Sequence, residues 1–208
     1  MLNIGVLASG GGTNLQSLID SIKSGYINGK ISIVISDRPM AYALERAREN
    51  NIPSLCYDRK AMTPLELNSC IFNELLSRNI KLIVLAGYLS ILSGDIISAY
   101  KDAIVNIHPS LIPSFCGPGY YGLKVHEKAI EYGVKISGCT VHFVDEGTDT
   151  GPIILQQAVE VKYDDTSLSL QQRILNYEHI LLRDAVKLIC DGRVSIRGRK
   201  VIIREEQK

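Results

Sequence analysis

Apolar positions along this chain fall into two rhythms, short continuous runs and stripes of helical spacing, and the two alternate from the N-terminus onward. Asn3 to Ala8, Ile31 to Ile35, Pro53 to Tyr57 and Lys81 to Ala86 are runs of strand length. The last is apolar almost throughout, as a parallel strand covered on both faces should be. Helical stripes separate them: Leu15, Leu18, Ile19 and Ile22, ending near Gly25; a segment from about Ala41 to Asn50; and Leu67, Cys70, Ile71 and Leu75. The third stripe follows a start signal, Thr63-Pro64-Leu65-Glu66, with Thr as N-cap, Pro in the first turn and Glu three residues on. This βαβαβαβ order predicts an α/β fold with a doubly wound, Rossmann-like, mostly parallel sheet.

The second half keeps the rhythm and then changes it. A short helix from about Gly94 to Tyr100 leads to the run Ala103-Ile104-Val105, a strand that ends at Asn106 and His108 and is stopped by Pro109 and Pro113. Ser114 to Gly122 contains three glycines, a proline and two tyrosines, a composition suited to a mobile loop or lid. Leu123 to Tyr132 reads as a helix carrying His126. Lys135 to Val144 alternates, with Thr140, His142 and Val144 on one side, and Pro152 to Val161 is another strand. No helix lies between those two, which predicts an antiparallel C-terminal pair. The last helix runs from near Thr166 to before Gly192 with a stripe of Leu170, Ile174, Tyr177, Leu181, Ala185 and Leu188. Glu178 falls about 60° from the centre of that stripe, either reaching a ligand from the core boundary or lying in solvent. His179 sits opposite the stripe and is expected to be exposed. Val194 to Ile203 alternates weakly, as a small edge strand would.

Composition narrows the classes. The 208 residues suit one domain spanning 1–208, with 23 basic and 22 acidic side chains and a formal net charge of +1. That balance argues against a general nucleic-acid binder or a membrane-surface protein, yet leaves room for a local site for a small anion. The N-terminus enters the strand-like Ile4-Gly5-Val6-Leu7 with no secretory pattern, and no apolar run approaches a membrane span. Five scattered cysteines without CxxC spacing suggest a reduced, cytoplasmic setting, with neither a disulfide framework nor a zinc site. The four histidines show no ligand spacing, so no metal is expected.

Two places carry candidate chemistry. Ser9-Gly10-Gly11-Gly12-Thr13-Asn14 joins the first strand to the first helix. Glycines let the backbone approach a phosphate closely, and free N–H groups at a helix start attract an anion; the plainer reading is a tight turn. The dinucleotide fingerprint is not met, because its third glycine is replaced by Leu15. The other place is the strand end at Asn106 and His108, whose side chains project to one side, where open α/β sheets put their chemistry. With a carboxylate from the loop Asp145 to Gly151, these suit acyl transfer to an amine. The amide donates to the developing oxyanion, the imidazole stabilises charge or shuttles a proton, and Asp149 holds the imidazole's charge. Cys116 and Cys139 lack an activating partner, and a hydrogen-bonded structural role is expected of both His126 and His142. The apolar loop Leu89 to Leu92 is either core packing or the wall of a flat-ligand pocket.

Val105-Asn106-Ile107-His108-Pro109-Ser110-Leu111-Ile112-Pro113, with Gly138-Cys139-Thr140-Val141-His142-Phe143-Val144 and Asp149-Thr150-Gly151-Pro152-Ile153-Ile154, resembles the formyltransferase fold of folate enzymes. Adding Ser9 to Asn14, the chain is similar to the glycinamide ribonucleotide (GAR) transformylases of purine synthesis, from about residue 3 to 192. The resemblance implies direct formyl transfer from 10-formyltetrahydrofolate, the co-substrate, to the glycinamide amine, with no metal and no covalent enzyme intermediate. It implies catalytic roles for Asn106, His108 and Asp149. It assigns GAR to Gly11, Gly12, Thr13, Asn14, Asn176 and Glu178. It assigns folate to Leu89, Ser90, Ile91, Leu92 and Asn106, and to Val144, Asp145, Glu146, Gly147, Thr148 and Asp149. A monomer or weak homodimer acting on small molecules is implied, with neither nucleic acid nor membrane as partner. Many such relatives carry arginine where Ser90 and Pro64 stand here, so the folate's glutamate tail is expected to be held differently. The loop from Ser114 to Gly122 is also longer than the proline-glycine link of many relatives.

The nearest alternative is a 10-formyltetrahydrofolate hydrolase, expected to carry an extra N-terminal regulatory domain. A methionyl-tRNA formyltransferase is expected to add an RNA-binding domain. A non-catalytic nucleotide-binding module explains the glycine turn but not Asn106, His108 and Asp149. A nucleotide-dependent oxidoreductase is disfavoured by Leu15.

Overall fold

A computed structural model describes residues 1–205. The chain forms two compact units, Met1–Asn106 and the residues from Ile107 onward. In the first, β1 (Leu2–Leu7), α1 (Thr13–Lys23), β2 (Gly29–Ser36), α2 (Tyr42–Glu49), β3 (Ser54–Cys56), α3 (Pro64–Ser77), β4 (Leu82–Leu85), α4 (Gly94–Ala99) and most of β5 (Ile104–His108) follow in turn. Their strands are parallel, in the order β3-β2-β1-β4-β5. Ile33, Val34, Ile35, Leu82, Ile83 and Val84 are fully buried, the reason these strands read as unbroken apolar runs. Leu15, Leu18 and Ile19 bury one face of α1. The expected start of α3 is present as a reciprocal capping box between Thr63 and Glu66.

The order of the strands positions the first candidate site. In a parallel sheet the carboxyl ends lie on one edge, so the exits of β1 and its neighbours β2 and β4 share that edge. Ser9 N–H donates to Gly87 O at 3.1 Å, and Leu89 N–H donates to Ser9 Oγ at 2.9 Å, tying the glycine turn to the loop that leaves β4.

The second unit contains α5 (Leu123–Tyr132), β6 (Ile136–Phe143), β7 (Ile153–Glu160), α6 (Ser167–Cys190), β8 (Val194–Arg197) and β9 (Lys200–Ile203), with strand order β6-β7-β9-β8. The antiparallel β6–β7 pair matches the expected C-terminal pair, and its register slips at Val141/His142. A bulge of this kind re-aims side chains, and it falls beside the loop that carries Asp149. The weakly alternating tail forms two strands, not one. Gly198, at φ 60°, opens a two-residue turn that folds β9 back on β8.

The buried face of α6 is rotated from the expected stripe. It consists of Leu170, Ile174, Glu178, Leu181, Leu182, Ala185 and Val186, while Tyr177 is 39% exposed and Leu188 is half-buried. Counting apolar residues alone drew the stripe towards the tyrosine, whose ring tolerates a wet boundary. The packed face passes instead through a carboxylate.

Candidate active site

The glycine turn of the first unit owes its shape to one close approach. Gly12 precedes α1 at φ 69°, and a Cβ there would lie 2.7 Å from Ala43 Cα. Only glycine meets both conditions. Among the described residues, none accepts a hydrogen bond from the N–H groups of Gly11, Gly12 or Thr13. Asn14 is buried and Thr13 half-buried. Unsatisfied donors at the start of a helix are the groups to which an anion is drawn.

In the loop beyond β4, Leu92 is buried, whereas Leu89 is 37% and Ile91 82% exposed. Packing and presentation are divided among neighbouring residues. The loop is held by Asn68 of α3, which donates from Nδ2 to Pro64 O at 2.9 Å and Ile91 O at 3.2 Å and accepts from Ser93 N–H at 2.8 Å. Asn68 was not among the expected site residues; a buried amide inside an apolar helix stripe was the available signal. Ser90 Oγ donates to Asp37 Oδ2 at 2.6 Å, and Arg59 Nη1 lies 3.8 Å from the same oxygen. Asp37 is fully buried and its Oδ1 has no hydrogen-bond partner among the described residues.

His108, in the second unit, is buried at the end of β5. Asn106, two residues back on the same strand, is half-buried. His108 Nε2 lies 2.9 Å from the carbonyl oxygen of Phe115. A carbonyl can only accept, so Nε2 carries hydrogen and Nδ1 is the nitrogen that titrates. Nδ1 lies 3.5 Å from Asp149 Oδ2. Burial pushes the His108 imidazole below its usual range, against the upward pull of Asp149 and the Phe115 carbonyl. Burial acts to raise the Asp149 carboxyl, but His142, His108 and the Gly117 N–H together outweigh it and hold it below the usual carboxylate range. Near neutral pH the pair is therefore a neutral imidazole facing a carboxylate.

The loop from Ser114 to Gly122 contributes backbone groups to this pair that no side-chain reading would find. Phe115, at φ 48°, turns its carbonyl to His108, and Gly117 N–H donates to Asp149 Oδ2 at 2.9 Å. The approach to the loop is fixed by Thr140, which donates to Ser110 O at 2.7 Å and accepts from Ile112 N–H at 3.1 Å. Asp149 itself has φ 58°, a left-handed conformation that Asp tolerates better than most residues. Its loop is shaped by Asp145, whose Oδ1 accepts from Thr150 Oγ1 at 2.5 Å and Gly147 N–H at 3.2 Å. Gly151 packs so closely that a Cβ would lie 1.8 Å from Phe143 O. Arg199, from the turn between β8 and β9, donates to Thr150 O at 2.7 Å, a support absent from the expected set.

The other histidines divide. His142 donates from Nδ1 to Phe143 O at 2.8 Å and places Nε2 3.7 Å from Asp149 Oδ1, which puts it against the acidic member of the pair. His126 is buried, its Nδ1 has no hydrogen-bond partner among the described residues, and burial, with a smaller push from His108, brings it down to about 4. His179 is half-buried where full exposure was expected. On α6, Glu178 is 8% exposed and Asn176 exposed. Glu178 helps push the buried Cys139 thiol up to about 12, after burial itself, which keeps that cysteine a thiol. Val144 and Asp145 are half-buried, while Glu146, Gly147 and Thr148 are exposed at the tip of their loop. Among the described residues no cluster of three or more His, Cys, Asp or Glu is placed to hold a metal, and no helix is long and apolar enough to cross a membrane.

Comparison with known proteins adds to this geometry. Residues 2–186 match the family model described as formyl transferase. A solved structure, glycinamide ribonucleotide transformylase 1 from Symbiobacterium toebii, is 44% identical with a TM-score of 0.93, covering 99% of this chain and 95% of that one. The chloroplastic phosphoribosylglycinamide formyltransferase of Vigna unguiculata is 38% identical over 92% of this chain. The trifunctional purine biosynthetic protein adenosine-3 of Chironomus tentans is 40% identical over 94% of it. The chain spans 62% and 14% of the lengths of these two curated relatives.

Proposed function

This chain belongs to the formyl transferase family, and from that premise we propose that it transfers a formyl group from 10-formyltetrahydrofolate to the glycinamide amine of GAR, a step of de novo purine (IMP) synthesis. The observation that carries the reading is the buried His108 imidazole at the end of β5, its titrating Nδ1 3.5 Å from Asp149. The amine attacks the formyl carbon directly. As the carbonyl oxygen gains negative charge, the Asn106 amide donates a hydrogen bond to it. The amine's proton passes to His108, and Asp149 stabilises the imidazolium. Collapse of the tetrahedral species breaks the bond to the folate nitrogen, which takes up the proton held on His108 and departs as a neutral secondary amine. The enzyme forms no covalent bond in this scheme.

Gly11, Gly12, Thr13 and Asn14 are assigned to the GAR phosphate, and Asn176 and Glu178 to the rest of GAR. Leu89, Ser90, Ile91 and Leu92 are assigned to folate, as are Val144 through Asp149. Three features support these roles: the Gly11, Gly12 and Thr13 N–H groups, which have no acceptor among the described residues, the exposed Leu89 and Ile91, and the family match. In this reading the two units act together as one formyltransferase domain, as a cytoplasmic monomer or weak homodimer working on small molecules without a resident metal, nucleic acid or membrane.

The test is to mix purified protein with a 10-formyl folate, with and without GAR, and follow both folate and formate. Folate deformylation that requires GAR and yields formyl-GAR is expected. Formate release at the same rate without GAR replaces this reading with a hydrolase.

A further inference from the structure

An anion site made of peptide groups works only if its carbonyls turn away from the anion. A trans peptide points its C=O and N–H in opposite directions, so holding the carbonyl also aims the donor. Three successive carbonyls of the glycine turn are held. Gly10 O accepts from Ala43 N–H at 3.1 Å, and Gly12 O from Gln16 N–H at 2.9 Å. Gly11 O accepts from Arg46 Nε at 2.8 Å. The first two donors are main-chain groups supplied by α2 and α1. The third is a side chain that reaches across from α2, and it governs the peptide that joins Gly11 to Gly12. Arg46 is itself fixed. Its Nη1 donates to Gln16 Oε1 at 3.2 Å, and its guanidinium carbon lies 5.0 Å from the Tyr42 ring centroid, a cation–π contact.

We propose that Arg46 is a positioning residue for the substrate's phosphate: it clamps the Gly11 carbonyl so that the Gly12 N–H faces the anion, and it sets a fixed positive charge against that same peptide. The inference rests on the assignment of the glycine turn to the GAR phosphate. The planar fork of arginine is needed because one side chain serves Gly11 O, Gln16 and the Tyr42 ring together, whereas lysine offers a single point charge.

Wild type, Arg46→Gln and Arg46→Lys are compared in steady-state formyl transfer and in calorimetric titrations with GAR and with inorganic phosphate. Arg46→Gln is expected to raise KM and Kd for GAR about tenfold or more, the scale of one lost charged hydrogen bond. Its kcat and its KM for the formyl folate stay within about twofold of wild type, the signature of lost ground-state binding. Arg46→Lys recovers part of the loss. An unchanged KM for GAR in a folded Arg46→Gln protein overturns the proposal. So does a fall in kcat and Tm together with a rise in both KM values, which marks a purely structural role. If Arg46→Gln does not fold, Arg46→Lys decides alone: a raised KM for GAR supports the role and an unchanged one overturns it. Wild-type protein that binds neither GAR nor phosphate overturns the functional reading itself, a result distinct from any difference between variants.

Discussion

Asp37 and Asp149 are carboxylates withdrawn from solvent, one in each unit, and they are satisfied in opposite ways. Asp37 is fully buried, and its Oδ2 takes the Ser90 hydroxyl at 2.6 Å with Arg59 at 3.8 Å. A hydroxyl and a guanidinium do not titrate near neutral pH, so the partners of Asp37 are permanent. Asp149 is 11% exposed and is faced by His108 at 3.5 Å, His142 at 3.7 Å and the Gly117 N–H at 2.9 Å. One of those partners, His108, is an imidazole that burial holds below its usual range, so near neutral pH it is uncharged and able to take up a proton. The first arrangement fixes a loop; the second lets charge be exchanged. Burial of an acid is therefore a poor guide to its role, and the chemistry of its partners is a better one.

The comparison breaks most sharply at Asp149. Asp149→Asn is expected to lower kcat about a thousandfold, within the range for a general acid–base group, while the unfolding midpoint changes little. Near-native turnover would sink the proposed pairing with His108.

Wild-type activity sharpens the same point through pH. His108 must be neutral to accept a proton, and burial holds it below its usual 6.5. kcat/KM is expected to be flat above that value and to fall about tenfold per pH unit once pH drops below the depressed one. Removing the carboxylate by Asp149→Asn should move this acid limb to still lower pH, because Asp149 pulls the imidazole upward.

His126 gives the contrast of a buried base without an acid beside it. It stays neutral in the fold down to about 4 but takes a proton near 6.5 when unfolded. Its contribution is thus complete above the unfolded value and is lost as pH falls from there to about 4. Urea titrations at pH 7.5 and 5 should show a loss of about 2 kcal/mol from this residue alone, which His126→Gln abolishes. An unaltered slope in that variant would assign the acid sensitivity to other groups.

The smallest effect is expected at the static carboxylate. Ser90→Ala deprives buried Asp37 of its hydroxyl partner and should cost about 1 to 2 kcal/mol. Adding Asp37→Asn should return part of that loss, because the amide carries no charge to strand. A Ser90→Ala protein as stable as wild type would show that Arg59 alone satisfies the carboxylate.

Much of this is legible in the amino-acid pattern. Strands buried on both faces leave unbroken apolar runs, and so β1, β2, β4 and the parallel direction of the strands in the first unit follow from pattern alone. The Thr63 capping box and the glycine turn are local, each written within a few consecutive residues. The face of α6 was less legible, because its centre is the charged Glu178 and its rim the aromatic Tyr177, the reverse of what hydrophobicity alone suggests.

Sequence by itself determined the alternation of strand and helix, the glycine turn, and the spacing of Asn106 and His108 on one strand, since all of these depend on neighbours in the chain. Tertiary structure decided which groups complete the sites. Asn68, Arg46 and Arg199 act on carbonyls 23, 35 and 49 residues away, distances at which no local pattern survives. The Phe115 carbonyl and the Gly117 N–H belong to the backbone, whose carbonyl every residue carries and whose N–H every residue but proline carries. Only the path of the folded chain selects those two peptides from all the others and sets them against His108 and Asp149.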